Sequence, residues 1–274
     1  MDLYAVEKRL VMRFGPRVRT WVDRLPERLA ALAARWRLDL GTAFETGHSS
    51  VVLRCAAPDG PAVLKLSPDA AGVAEEVDVL RAFAPCGRVP AIHQHEEDAV
   101  LMEAIEPGTP VEGRPCPPVP DFAALLRELH RGDPASAPRD LAGWTDVLFD
   151  SAARRGADLR AARRLRDRLL ATRPRPVLLH GDLHFGNVLD GGVRGLFAID
   201  PMGCAGDPCF DAVDYVLAAP DRAEIVRRGD ALAAEAGLDA DRLDAWCRAT
   251  APIGAVSAGP AHATELLAYA RGAR

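Results

Sequence analysis

Between positions 177 and 200 the chain reads Val-Leu-Leu, then His180-Gly-Asp182-Leu-His-Phe-Gly-Asn187, then an Asp190-Gly-Gly turn and Leu196-Phe-Ala-Ile-Asp200. Apolar runs this short, punctuated by glycine and polar residues, exclude a continuous helix and fit strand, loop and strand. A hairpin of this kind gathers Asp182, Asn187 and Asp200 around one cavity. A lone Asp or Asn in a loop ordinarily only makes a turn; three in fixed order beside apolar strands point to chemistry. Phosphoryl transfer requires an acceptor for the nucleophile's proton, ligands for magnesium and cations against the phosphates. Asp182 suits the first role. Asn187 and Asp200 suit the second, because magnesium prefers oxygen and takes one or two carboxylates while phosphate and water complete its shell. His180 and His184 lack a third ligand at zinc spacing, so His180 is expected to brace the loop by hydrogen-bonding backbone near Asp182.

Lysine usage supplies a second constraint. Of 34 basic residues only Lys8 and Lys65 are lysine, so arginine serves wherever positive charge alone is needed. Lys65 stands in the apolar strand Ala62-Val-Leu-Lys-Leu, where a charge is costly unless paired. A compact ammonium reaching a nucleotide's phosphates accounts for it, since arginine's planar fork is a different donor. Its counter-charge is expected on the amphipathic helix from Ala70 to Phe83, with Val73, Val77, Leu80 and Ala84 along the apolar stripe; Glu75 and Glu76 both lie there. Upstream, the segment from Leu40 to Leu53 reads as two strands joined by a phosphate-covering turn, with Gly47 allowing close backbone approach and Ser49 and Ser50 as donors.

At 274 residues the chain exceeds the usual single-core size, and two lobes are expected: residues 1–104 holding the strands, and residues 105–274, mostly helical, after the proline-rich stretch from Pro107 to Pro120. Helical periodicity marks segments 18–36, 122–130, 145–153, 158–170, 212–217, 221–236, 239–249 and 261–271. No apolar run is long enough to cross a bilayer, and Met1–Lys8 lacks the order of an export signal, so a cytoplasmic chain is expected. Its six cysteines show no metal spacing and should be free thiols, Cys204 and Cys209 flanking the loop after Asp200 as either reactive thiols or, more ordinarily, packing residues. A net charge of −5 argues against nucleic acid, and the arginines from Arg160 to Arg175 read as solvated helix faces with acidic neighbours. Asp207, Asp211, Asp214 and Glu265 could line a cleft that draws in a cationic acceptor; Asp239, Asp241 and Asp244 read as helix caps.

Aspartate, five residues to asparagine, then aspartate after a strand is the order of protein-kinase catalytic and metal loops. His-Gly-Asp in place of His-Arg-Asp, and Asp-Pro-Met in place of Asp-Phe-Gly, resemble the aminoglycoside phosphotransferase family. Trp36-Arg-Leu-Asp-Leu-Gly, Ser50-Val-Val-Leu, Asp59-Gly-Pro-Ala-Val-Leu-Lys-Leu, Leu179 to Leu189 and Ala198-Ile-Asp-Pro are together similar to its streptomycin 6-phosphotransferase and hydroxyurea phosphotransferase branch. The resemblance implies an α+β, bilobal protein-kinase-like fold with a small antiparallel sheet in the N-lobe and a larger helical C-lobe. It implies an ATP- and magnesium-dependent kinase that inactivates a hydroxyl-bearing, cationic antibiotic. Asp182 would be the base, Asn187 and Asp200 would hold magnesium, and Lys65 with Glu76 would face them across the phosphates. Met102, the Glu103 carbonyl and the Ile105 amide would meet adenine. Met202 stands where that branch is expected to carry lysine. A metabolite kinase shares every one of these motifs; a silent pseudokinase is disfavoured by the intact set, and a hydrolase by the lack of a nucleophile or closed metal shell. A monomer or weak dimer is expected, without membrane or nucleic-acid partners.

Overall fold

The computed structural model describes residues 1–44, 49–172 and 174–272; Gly47, the tip of the expected phosphate-covering turn, lies outside them. The chain divides into two compact units, Met1–Arg81 with Pro90–Ile105, and Ala82–Val89 with Glu106–Arg274.

The first unit contains α1 (Leu3–Phe14), α2 (Arg19–Trp36), β1 (Asp39–Ala43), β2 (Val51–Ala57), β3 (Gly60–Leu66), α3 (Ala70–Phe83), β4 (Ile92–Glu96) and β5 (Ala99–Glu103). Its five strands form one antiparallel sheet in the order β1-β2-β3-β5-β4. α1 was not legible in the pattern; it starts because the Asp2 carboxylate accepts from the amides of Tyr4 and Ala5 at 2.9 and 3.2 Å, satisfying donors that the first turn leaves open. α2 buries Val22, Leu25, Leu29 and Leu32, spaced to form one stripe. They share a core with alternate residues of the two central strands, Val51, Leu53 and Cys55 of β2 and Ala62, Leu64 and Leu66 of β3. Alternation sends Lys65 to the opposite face of β3. Arg28 of α2 reaches the β4–β5 turn, bonding Asp98 at 2.6 and 2.9 Å and Glu96 at 2.9 Å. On α3 the stripe is Val73, Val77, Val79, Leu80 and Phe83. Ala84, expected on it, is exposed in the 3-10 turn that follows, where the helix has already ended.

The second unit contains β6 (Thr109–Pro110), α4 (Val119–Leu129), α5 (Leu141–Arg154), α6 (Arg160–Ala171), β7 (Val177–Leu179), β8 (Val188–Asp190), β9 (Leu196–Ala198), β10 (Cys204–Gly206), α7 (Val213–Leu217), α8 (Arg222–Ala236), α9 (Ala240–Gly254) and α10 (Pro260–Arg271). The hairpin differs from expectation. β8 pairs with β9, and β7 pairs instead with β10, so Asp182 lies on a connection between two small sheets. The 3-10 turn Phe185–Asn187 makes this crossing, held by the Asn187 amide donating to the His184 carbonyl at 2.9 Å. Asp221 and Asp239 cap α8 and α9, whereas Asp244 accepts from the Tyr269 hydroxyl of α10 at 2.8 Å. No helix among the described residues is long and apolar enough to cross a membrane.

Leu32 is fully buried in the first unit's core. Leu32→Ala is expected to lower unfolding free energy by about 2–5 kcal/mol, read as a fall in the denaturation midpoint with an unchanged slope.

Candidate active site

His180 spends nearly every polar atom on the loops around it. Its amide donates to Asp211 Oδ2 at 2.8 Å and its carbonyl accepts from the amides of Met202 and Gly203 at 2.9 and 3.1 Å. Its ring Nε2 donates to the Ile199 carbonyl at 2.9 Å, while Nδ1 accepts from the Asp182 amide at 3.3 Å. These partners require the neutral tautomer with hydrogen on Nε2. Burial agrees: the imidazole is inaccessible, and desolvation lowers its pKa against the opposing pull of Asp211. The loop-bracing part expected of His180 thus extends to both functional loops.

Asp211, read from the sequence as a candidate acceptor contact, is instead an internal brace. Its side chain is wholly buried and accepts from the His180 amide, from the Gly181 amide at 2.9 Å and from His130 Nε2 at 3.2 Å. Burial pushes its pKa up, but the His130 hydrogen bond, the charge of His130 and the Gly181 amide outweigh this and hold it below the usual range. Asp207 is likewise consumed inside the unit, by the Arg242 guanidinium, by Trp246 Nε1 at 2.6 Å and by the Cys209 amide at 3.1 Å. Glu265 sits half-buried on α10. Asp214 is the most exposed of the four. Lost hydration and the nearby charge of Asp182 push its carboxyl up to about 6.

The connection between β7 and β8 presents Asp182 with a partly exposed carboxylate, His184 Nε2 being 3.7 Å away. Asn187 is buried and donates through Nδ2 to the Asp182 carbonyl at 2.9 Å and to its carboxylate at 3.4 Å. Its Oδ1 remains as the atom suited to a cation. The Ile199 amide donates to the Asn187 carbonyl at 2.9 Å, which continues the β8–β9 ladder and brings Asp200 in directly after Asn187's backbone partner. Asp200 is exposed and adopts φ 56°, a left-handed conformation that aspartate tolerates better than most residues. An amide oxygen and a carboxylate on one fixed hairpin are hard donors of the kind magnesium takes.

Two contacts escaped the sequence reading. Trp144 Nε1 donates to the Gly181 carbonyl at 2.6 Å, and Arg139 donates to the Met202 carbonyl at 2.9 Å while its guanidinium lies 5.8 Å from the Trp144 ring centre. Together they clamp the loops bearing Asp182 and Asp200. Gly181 has φ 84°, and a Cβ there would stand 3.3 Å from Cys204 Sγ and 3.5 Å from Trp144 Nε1, so glycine serves both conformation and space. Burial pushes the Cys204 and Cys209 thiols up, which suits packing.

In the first unit, Lys65 lies on central β3 opposite Val52 and Val100. Its ammonium contacts both Glu76 oxygens at 2.7 Å, with side chains only 9% and 13% exposed; this buried pairing excludes a solvated edge-strand lysine. Ser50 is buried, its carbonyl accepting from Arg9 at 3.2 Å, and the Ser49 carbonyl accepts from Ser67 Oγ at 2.8 Å, so neither residue hangs in an open turn. Met102 and Ile105 are buried, and Glu103 is tied to Ala91 through its amide at 2.8 Å and its carboxylate at 3.2 Å.

Residues 35–260 match the family described as aminoglycoside/hydroxyurea antibiotic resistance kinase. A hydroxyurea phosphotransferase from Kitasatospora aureofaciens is 34% identical, covering 86% of this chain and 74% of its own. A streptomycin 6-kinase from Streptomyces glaucescens is 31% identical over 85% and 82% respectively. Among solved structures, an aminoglycoside phosphotransferase from Streptomyces rimosus is 19% identical and aligns with a TM-score of 0.55 over 84% of this chain and 98% of that one. That likeness is one of fold, the α+β protein-kinase-like class.

A buried histidine with a lowered pKa contributes stability that is fully present above its unfolded value near 6.5 and is lost as pH falls through that value, because the unfolded chain takes up the proton first. The stability advantage of the wild type over His180→Gln is therefore expected to shrink between about pH 7.5 and pH 5.5, by up to about 1.4 kcal/mol per pH unit below 6.5. Urea unfolding of both proteins across that range measures it.

Proposed function

The chain belongs to the aminoglycoside/hydroxyurea antibiotic resistance kinase family, and we propose that it transfers the γ-phosphoryl group of ATP to a hydroxyl of a small antibiotic, with Asp182 as base and Asn187 and Asp200 as magnesium ligands. One observation carries this reading. Asn187 donates to Asp182 while its backbone pairs with Ile199, so the base and both cation ligands belong to one braced loop pair.

Bound magnesium would offset charge on the transferred phosphoryl group. Asp182 orients the acceptor hydroxyl and takes its proton. His180, neutral and fully bonded, keeps the Asp182 backbone from shifting and holds Ile199, hence Asp200, at the other side. Lys65 supplies an ammonium to the nucleotide's phosphates, with Glu76 fixing its direction. Little covalent work falls to the protein, so positioning and electrostatics dominate the rate. The contact of the Lys65 ammonium with both Glu76 oxygens supports this role. Asp214, open to solvent and within the field of Asp182, is the acidic residue best suited to a cationic acceptor. The hydroxyurea phosphotransferase and the streptomycin 6-kinase bracket the acceptors to try first, one neutral and one cationic.

Asp182→Ala is expected to retain ATP binding and to lose about a hundred- to ten-thousand-fold in turnover, measured by coupled ADP release with each acceptor; near-wild-type turnover would remove Asp182 from the mechanism. For a cationic acceptor, KM is expected to rise as pH falls through about 6, where Asp214 takes up its proton. Asp214→Asn should raise KM at neutral pH and flatten that profile with kcat little altered, while a neutral acceptor should respond to neither change.

A further inference from the structure

α6, α9 and α10 border a cavity of about 950 Å³ in the second unit, and none of its lining residues belongs to the Asp182 or Asp200 loops. Six arginines converge on it, Arg155, Arg160, Arg164, Arg168, Arg248 and Arg271, against a single acidic residue, Asp158. In a chain of net charge −5, this concentration is local and not a general basicity. Acidic neighbours, expected for all the arginines of this region, are present for Arg160, Arg163 and Arg166. Among the described residues, no ion pair joins the side chains of Arg164, Arg168 or Arg271 to an acid.

Arg160, Arg164 and Arg168 recur every four residues on α6, which puts them on one face, where like charges repel. The Arg248 guanidinium lies 3.9 Å from Asp244 through Nη1, but its Nε is buried and has no hydrogen-bond partner among the described residues, an unmet donor of a kind that folded chains rarely retain. Between the arginines the lining is apolar, with Leu165, Pro252, Val256 and Leu267. Convergent charge over an apolar floor, at a volume typical of small-molecule sites, describes a receptor for an amphiphilic anion. Arginine's planar fork matches phosphoryl oxygens in two-point contacts.

We propose that this cavity is a second ligand site, separate from the transfer site, for a multiply charged phosphate ester with an apolar body. The site stands whether or not the chain transfers phosphate. Isothermal titration of the full chain with inorganic tripolyphosphate, at low salt and with a chelator excluding divalent cations, tests it. One binding event is expected that weakens steeply with added salt, weakens tenfold or more in Arg164→Gln/Arg168→Gln, and is unchanged in Lys65→Ala. Both arginines are exposed, so the double variant should keep the wild-type melting temperature and the wild-type phosphoryl-transfer rate. Tripolyphosphate affinity that survives the double substitution, disappears in Lys65→Ala, or is undetectable in the wild type overturns the proposal.

Discussion

A carboxylate closed off from water must have its lone pairs met by protein donors, and Asp211 meets this condition through the amides of His180 and Gly181 and the ring of His130. Because two of those donors are backbone, the bond fixes the path of the chain and not merely a side chain. His180 then transmits the constraint, reaching Asp182 through one ring nitrogen and Ile199 through the other. The carboxylates that would handle proton and cation, Asp182 and Asp200, thus reach solvent, while His180 and Asp211, which aim them, are buried and hydrogen-bonded. Low local dielectric makes each such bond strong and each missing partner costly, which is why the two loops are expected to hold one arrangement.

The first unit solves a related problem on a different scaffold. Its sheet buries one face against α1 and α2 and so leaves the alternate face of β3 to carry Lys65. Glu76 of α3 holds the ammonium by both oxygens, and removing one partner from such a pair leaves an uncompensated buried charge. The pair is therefore constrained by stability as well as by chemistry. In the second unit, the clamp of Trp144 and Arg139 joins the loop of Gly181 to that of Met202, so α5 and the segment leading into it share in positioning the site.

Charge is distributed by task. Carboxylates near the loops divide into buried braces, Asp207 and Asp211, and the accessible Asp214. Arginine performs most of the remaining electrostatic work, pairing with acids at Arg160, Arg163, Arg166 and Arg248, while Arg164, Arg168 and Arg271 at the cavity bordered by α9 and α10 make no ion pair among the described residues. The scarcity of lysine made Lys65 conspicuous for this reason, since an ammonium in an otherwise arginine-using chain marks a point charge that a fork would not replace.

Local pattern sufficed for the helices from α2 onward, for strands β2, β3 and β5, for the ordering of Asp182, Asn187 and Asp200, and for the need of Lys65 for a carboxylate on α3. These depend on periodicity, turn residues and the cost of burying charge, all of which act over a few residues. Strand pairing was beyond its reach: β7 joins β10, not the hairpin partner nearest in sequence, because three-residue strands carry too little pattern to specify a neighbour. The fates of the acidic residues were equally hidden, since nothing near Asp211 in the chain indicates that His130 and the His180 and Gly181 amides converge on it. The sequence alone determined which chemical groups this protein has to work with and roughly which elements carry them. Tertiary structure decided which of those groups face solvent and which are consumed in holding the others still, because burial and hydrogen-bond partnership depend on residues distant along the chain.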